Sequence, residues 1–368
     1  MKTESDNRIV MTLDAGGTNF VFSAIQGNQE IVKPITLPSN AHDLDLCLAT
    51  LTDGFQQVRN ELSQKPVAIS FAFPGPADYP NGIIGDLGNL PSFRGGVALG
   101  PMLQEQFDLP VFINNDGDLF AYGEAIAGFL PFVNELLETN GSPKRFKNLI
   151  GITLGTGFGA GVVRDGELLI GDNSGAGEVW LMRNKLYPVM NAEESISIRA
   201  IQRVYAKEAG IDVDESLTPK DIFDISKGNK PGDKKAASEA FSQMGEVLGD
   251  ALSHLVTLID GVIVIGGGVA GAHSLIFPSM LEEMRGSYKN FKGEVFNRLV
   301  QQIFNLEEEH DVREFVKGAS KEITVPGSNK SIMYDPMART CVGVSKLGAS
   351  KAISIGAYAF ALNALDKQ

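Results

Sequence analysis

The sequence predicts an α/β protein whose strands deliver loops rich in glycine and carboxylates. Three observations carry that expectation. Apolar strands run straight into loops that open helices, as at Val111-Phe112-Ile113 before Asn114-Asn115-Asp116 and at Val262 to Ile265 before Gly266-Gly267-Gly268. Apolar residues recur at helical spacing in the segments between, most clearly along one stripe from Lys235 to Ile259. A strand–glycine–strand hairpin occurs once in each half, at Asp14 to Thr18 and at Gly155 to Gly161.

Composition narrows the function classes. A length of 368 residues suggests two or three domain-sized units. No run approaches the roughly 18 apolar residues of a membrane span, and Met1 to Asn7 lacks the apolar core of a secretory signal. Cys47 and Cys341 lie far apart without metal-ligand spacing, as expected of reduced thiols in a cytoplasmic protein. A net charge of −13 argues against nucleic acid as a partner, because a duplex binder needs a basic face to displace counterions. An acidic chain that handles phosphates must meet them mainly with backbone amides and a cation.

The elements follow in order. Arg8 to Asp14 and Phe20 to Ile25 read as strands of a hairpin turned at Gly16-Gly17, and Ile31 to Leu37 as a third strand. Asp14 ends the first strand, where it suits a hydrated Mg²⁺. Gly16, Gly17 and Thr18 leave amides and a hydroxyl open to phosphate oxygens, although Gly-Gly is also an ordinary hairpin turn. An amphipathic helix covers Leu44 to Leu62, and Val67 to Phe73 is a buried strand. The Gly-, Pro- and Asn-rich stretch 77–100 reads as a long shaped loop, in which Asn89 is either a substrate contact or a turn residue.

The central stretch places two amides and two carboxylates where a strand gives way to a helix over Leu119 to Phe129. Ligands of open α/β sheets bind past the carboxyl ends of strands, so Asp116 is a candidate base and Asn115 a hydroxyl contact. Capping of the helix by Asp116 or Asp118 is the competing role. The second hairpin, Asn148 to Arg164, turns through Gly155-Thr156-Gly157, and its glycine spacing is not that of a dinucleotide fold. Glu178 ends a flexible loop, and Glu193 and Glu194 fall in the first turn of a helix reaching Ala209, where acids suit the helix dipole. Gly266 to Gly268 allow a ring or a phosphate close to the backbone. The pattern weakens over 285–340, and a helix over Lys351 to Asn363, rich in small residues, closes the chain.

The order and spacing of Asp14-x-Gly16-Gly17-Thr18, Asn115-Asp116, the Gly155 to Gly161 hairpin and Gly266-Gly267-Gly268 resemble the ROK family of sugar kinases and sugar-responsive repressors. That resemblance implies two actin-like ATPase (ribonuclease H-like) domains around a central cleft. It places one domain at 1–121 plus a C-terminal helix at 350–368, and a larger one at 122–349 with an elaboration at 285–340. It further implies an ATP-dependent kinase acting on a hexose or N-acetylhexosamine, with Mg²⁺, and a homodimer. Asp116 matches the catalytic base; Asn89, Asn115, Glu178 and Glu193 match sugar contacts. Asp14, Gly16, Gly17 and Thr18 match the first phosphate loop, with Asp14 near Mg²⁺ through water. Gly155, Thr156 and Gly157 match the second phosphate loop, and Gly266, Gly267 and Gly268 the adenosine side.

Two departures qualify the resemblance. Glu178-Val179-Trp180-Leu181 puts Leu181 where the family has a sugar-contacting histidine, and the cysteine-rich zinc motif that follows is replaced by Leu186 to Asn191. No structural zinc is expected. The alternatives are a regulator related to the family's sugar-responsive repressors and an inactive sugar-binding relative. Arg8 begins the first strand, which leaves no room before it for a DNA-binding domain.

Overall fold

The computed structural model describes residues 3–75, 77–85 and 92–367. The chain divides into two compact units, one of Met1–Gly128, Gly161–Gly177 and Leu347–Gln368, the other of Phe129–Ala160 and Glu178–Lys346.

In the first unit, β1 (Val10–Ala15) pairs antiparallel with β2 (Asn19–Gln26), which also carries β3 (Gln29–Glu30) and β4 (Ile35–Pro38). Of the third strand expected over 31–37, only the part from Ile35 is strand, as β4; β3 ends before Ile31. On the other side β1 pairs in parallel with β5 (Ala68–Ala72). A small hairpin, β6 (Ala77–Asp78) with β7 (Ile83–Ile84), precedes β8 (Val111–Asn114), which pairs in parallel with β5. The parallel strands β1, β5 and β8 bring their carboxyl ends to one edge, the edge from which a ligand-binding loop must rise.

Helix α1 (Leu44–Glu61) begins where the Asp43 carboxylate accepts the N–H of Leu46. Its buried face meets the sheet through an aromatic cluster: Phe22 edge-on to Phe55, and Phe55 against Phe71 and against Phe107 of α2 (Leu99–Phe107). Helix α3 (Asp116–Ile126) starts three residues before the expected Leu119 and stops before Phe129. Asn115 has taken the cap, its side chain accepting the Gly117 N–H at 2.8 Å. The C-terminal helix, Ala349–Asp366, lies against α3 at backbone contact. A Cβ on Gly123 would fall on the Ala352 carbonyl, and one on Gly356 on the Leu119 carbonyl. Tyr358 of that helix donates to Arg8 O (3.2 Å) and accepts from the N–H of Gly27 (3.0 Å), and Arg8 pairs with Asp366.

The second sheet runs in the order β11 (Glu167–Leu168), β10 (Phe158–Arg164), β9 (Leu149–Leu154), β12 (Val262–Gly266), β18 (Arg339–Val344), β15 (Gln302–Asn305). Strands β9, β12, β18 and β15 are parallel. Helix α4 (Phe129–Thr139) opens the second unit. Three helices, α5 (Ile198–Ala209), α6 (Pro219–Lys227) and α7 (Lys234–Ile259), then precede β12, and α8 (His273–Met284) follows it. The core of this unit joins Ile263 and Ile265 of β12 to Phe241, Leu248 and Leu252 of α7.

The helix expected from Glu193 begins at Ile198 instead. The Ser197 hydroxyl accepts the Ala200 N–H as its cap, and Glu193 belongs to a separate 3₁₀ turn, Ala192–Glu194. The helix dipole therefore does not explain that carboxylate. The weakly patterned stretch 285–340 resolves into the edge strand β15, helix α9 (Glu309–Lys317) and two hairpins. These are β13 (Ser287–Lys289) with β14 (Val295–Asn297), and β16 (Lys321–Thr324) with β17 (Ser331–Tyr334).

Candidate active site

In the first unit the sheet sets two carboxylates at its ligand edge. Asp14 is the penultimate residue of β1, and Asp116 is the first residue of α3, just beyond β8. Both are exposed. Crowding by surrounding protein, and then the negative charge of Asp116, raise the Asp14 pKa above the ordinary carboxylate value. Like charges close enough to shift a titration repel each other, and a cation between them relieves that repulsion. Among the described residues no three His, Cys, Asp or Glu side chains group as a metal cage. Mg²⁺ in phosphoryl transfer commonly takes only one or two carboxylates, with waters and substrate phosphates completing its shell. Exposed Asp14 fits that chemistry.

The turn after β1 is braced from beneath. Buried Ser39 donates its hydroxyl to Gly17 O at 2.7 Å and its N–H to Thr18 O at 2.9 Å. With those carbonyls held, Gly17 and Thr18 remain exposed, and a Cβ built on Gly17 meets nothing within 4 Å. Gly16 packs closer, its would-be Cβ 2.8 Å from Asn19 O. Asn115 is half-buried and holds the helix cap; its neighbour Asn114 is buried, with no partner for its Nδ2 among the described residues. Asn114 is one of the two amides read at the strand end; Ser39, far along the chain from the turn, offers no signal in the sequence.

In the second unit the Gly155-Thr156-Gly157 turn joins β9 to β10. The Gly155 N–H donates to Gly157 O (3.1 Å), and the Ile198 N–H to Gly155 O (3.0 Å). One Glu193 oxygen accepts the Phe158 N–H at 3.1 Å, and the other lies 3.4 Å from the Arg199 guanidinium. A Cβ on Gly157 would lie 2.5 Å from the Glu193 carboxylate, so a larger residue there would displace that side chain. Glu193 is thus drawn to the glycine turn. At the end of β12, Gly267 has φ +90°, and a side chain there would strike Leu154 backbone; Val269 N–H donates to Leu154 O at 3.1 Å. Gly266 is buried as the last residue of β12, and Gly268 is exposed with nothing within 4 Å of a Cβ. The two turns of this unit are therefore stitched together through Leu154. Exposed Glu178 has a different partner, accepting the Trp180 indole N–H. Asn89 lies outside the described residues.

A backbone of open amides beside carboxylates is suited to an oxygen-rich, anionic ligand, and comparisons with known proteins agree. The model of the ROK family matches residues 10–303. The crystal structure of a glucokinase from Parabacteroides distasonis ATCC 8503 superposes with a TM-score of 0.91 at 56% identity, covering 99% of each chain. An N-acetyl-D-glucosamine kinase of Photobacterium profundum is 27% identical over 275 residues, 70% of this chain and 83% of its own length. A glucokinase of Halalkalibacterium halodurans is 27% identical over 296 residues, covering 72% and 82%.

Proposed function

The chain belongs to the ROK family, as an ATP-dependent sugar kinase with the actin-like ATPase fold, and we propose that it phosphorylates a hexose or an N-acetylhexosamine with Asp116 as general base. The observation that carries the reading is the pair Asp116 and Asp14, two exposed carboxylates at one sheet edge, near enough for one charge to raise the other's pKa.

In the proposed reaction a sugar hydroxyl gives its proton to the Asp116 carboxylate. Its oxygen forms the new bond to the γ-phosphorus of ATP as the bridging bond to ADP breaks. Asn115, Asn89, Glu178 and Glu193 orient the ring. The turn Gly16-Gly17-Thr18 and the turn Gly155-Thr156-Gly157 hold phosphate oxygens, and Gly266 to Gly268 the adenosine side. Phosphoryl transfer asks a protein mainly for positioning and charge stabilisation, and rigid turns of open amides supply the first. Mg²⁺ held through water by Asp14 would supply charge neutralisation on the phosphates.

The 56% identity to a glucokinase makes glucose the first sugar to test. Leu181, exposed where the family has histidine, removes one hydrogen-bonding partner and bears on which sugar is preferred. The experiment is ADP release with Mg²⁺-ATP against glucose, N-acetylglucosamine, mannose and fructose, with Asp116→Asn beside the wild type. Turnover with one of these sugars, reduced about 10²- to 10⁴-fold in the variant as for loss of a general base, is the expected result. Equal turnover in the variant removes Asp116 from the mechanism.

A further inference from the structure

The Gly155-Thr156-Gly157 turn poses an electrostatic problem for an anionic ligand. Glu193 hangs over it: one carboxylate oxygen accepts the Phe158 N–H at 3.1 Å, and the other lies 3.9 Å from a Cβ built on Gly157. Glu194 follows in the same 3₁₀ turn. Phosphates brought to the glycine amides would meet these two carboxylates, on a chain whose net charge is already −13. A cation beside the turn removes the difficulty.

The fold places Arg199 there. Its helix, α5, is seated on the turn itself, because the N–H of Ile198, the first helical residue, donates to Gly155 O at 3.0 Å. Arg199 comes next. Its Nη2 lies 3.4 Å from the Glu193 oxygen that Phe158 does not use, and 3.5 Å from Glu194. Both distances exceed the roughly 2.7–3.2 Å of a well-made hydrogen bond. The Arg199 side chain is 53% exposed, and an ion pair so open to water contributes little. Neither carboxylate depends on it. Glu193 keeps the Phe158 N–H, and Glu194 keeps Arg203, whose guanidinium reaches both its side chain at 3.4 Å and its backbone carbonyl. Arg199 is a loosely held guanidinium at the edge of the turn, able to exchange weak partners for a stronger one.

We propose that Arg199 binds a phosphate oxygen of the nucleotide seated on this turn, giving up its contacts with Glu193 and Glu194 to do so. The proposal rests on the kinase reading above, which assigns the turn to phosphate. A guanidinium suits the exchange, since its planar fork matches phosphate oxygens and bonds between charged partners are the stronger kind.

Calorimetric titration of the full chain with ATP, ADP and adenosine in the presence of Mg²⁺ tests this, with Arg199→Ala and Arg199→Lys beside the wild type. The position is exposed, and the melting temperature of each variant reports that the fold is kept. Arg199→Ala should bind ATP and ADP about 10- to 100-fold more weakly, the worth of a hydrogen bond to a charged group, and adenosine as the wild type does. Arg199→Lys, which keeps the charge without the fork, should recover part of the loss. In turnover assays KM for ATP should rise in Arg199→Ala while KM for sugar holds. Unchanged ATP affinity in Arg199→Ala, or an equal loss for adenosine, overturns the proposal and leaves the kinase reading standing. A rise confined to the sugar KM also overturns it, by showing that Arg199 acts only through Glu193. A wild type that binds no nucleotide overturns both readings.

Discussion

Glu193 shows at the scale of one residue how a position assigned to substrate can have a second duty. Its carboxylate accepts the Phe158 N–H and overhangs Gly157, so it braces the Gly155-Thr156-Gly157 turn. Two variants separate the roles. Glu193→Gln keeps an acceptor for Phe158, so KM for ATP should stay near wild type; Glu193→Ala loses it and should raise that KM about 10- to 100-fold, the worth of a hydrogen bond to a charged group. If Gln instead raises the sugar KM alone, the carboxylate reads the sugar and bracing is incidental. Asp14 offers a second residue-scale test. Part of its raised pKa comes from Asp116, so an NMR titration of Asp116→Asn should find it lower. The sign for stability follows. The folded chain holds the Asp14 proton more tightly than the unfolded chain, so stability from this group declines as pH rises from the ordinary carboxylate range through the raised value. Asp14→Asn should therefore raise the melting temperature at neutral pH, and an unchanged or lower one would contradict the cost assigned to that charge.

At the scale of elements, the crossing of α3 and the C-terminal helix is set by glycine. Gly356→Val would push its side chain onto the Leu119 carbonyl and should cost about 1–3 kcal/mol as overpacking, read from urea denaturation. A neutral result would mean the helices slide apart freely. The small residues around Gly356 announced this close approach in the sequence, and the two glycine hairpins were legible for a related reason. Glycine beside alternating apolar residues has few other uses. The start of α3 was less legible, because Asn115, Asp116 and Asp118 are all good caps and only the folded backbone decides among them. The break before α5 was hidden in the same way: Glu193, Glu194, Ser195 and Ser197 all suit a helix start, and it is the Ser197 hydroxyl that reaches the Ala200 N–H. The hairpins of 285–340 escaped because neither face meets the core, so no alternation marks them.

At the scale of the whole molecule, acid tolerance rests on charges held inside it. Arg339 and Asp335 form a buried pair at 2.5 Å beside the start of β18, with Arg339 stacked over Phe315. Burial alone would raise the Asp335 pKa. The Arg339 guanidinium and the N–H groups of Met337 and Ala319 outweigh it and hold the carboxyl below its ordinary value. This stabilisation is present above the unfolded value of about 3.9 and is lost as pH falls through that value toward the depressed one. Arg339→Met leaves a buried carboxylate without its counter-charge and should cost about 3–5 kcal/mol at neutral pH, with a shallower loss of stability on acidification than the wild type. Equal acid profiles would show that other groups govern it.

The first unit is assembled from three separate stretches of chain, and the last of them is the helix that lies in the glycine notch of α3. During synthesis the sheet carrying Asp14 and Asp116 emerges early, yet the partner for Leu119 and Gly123 is made more than 200 residues later. The support beneath Asp116 is therefore complete only once the stretch from Leu347 onward is in place. A chain broken off before Leu347 carries both carboxylates on an unfinished support, with Leu119 and Gly123 left without the helix that packs on them.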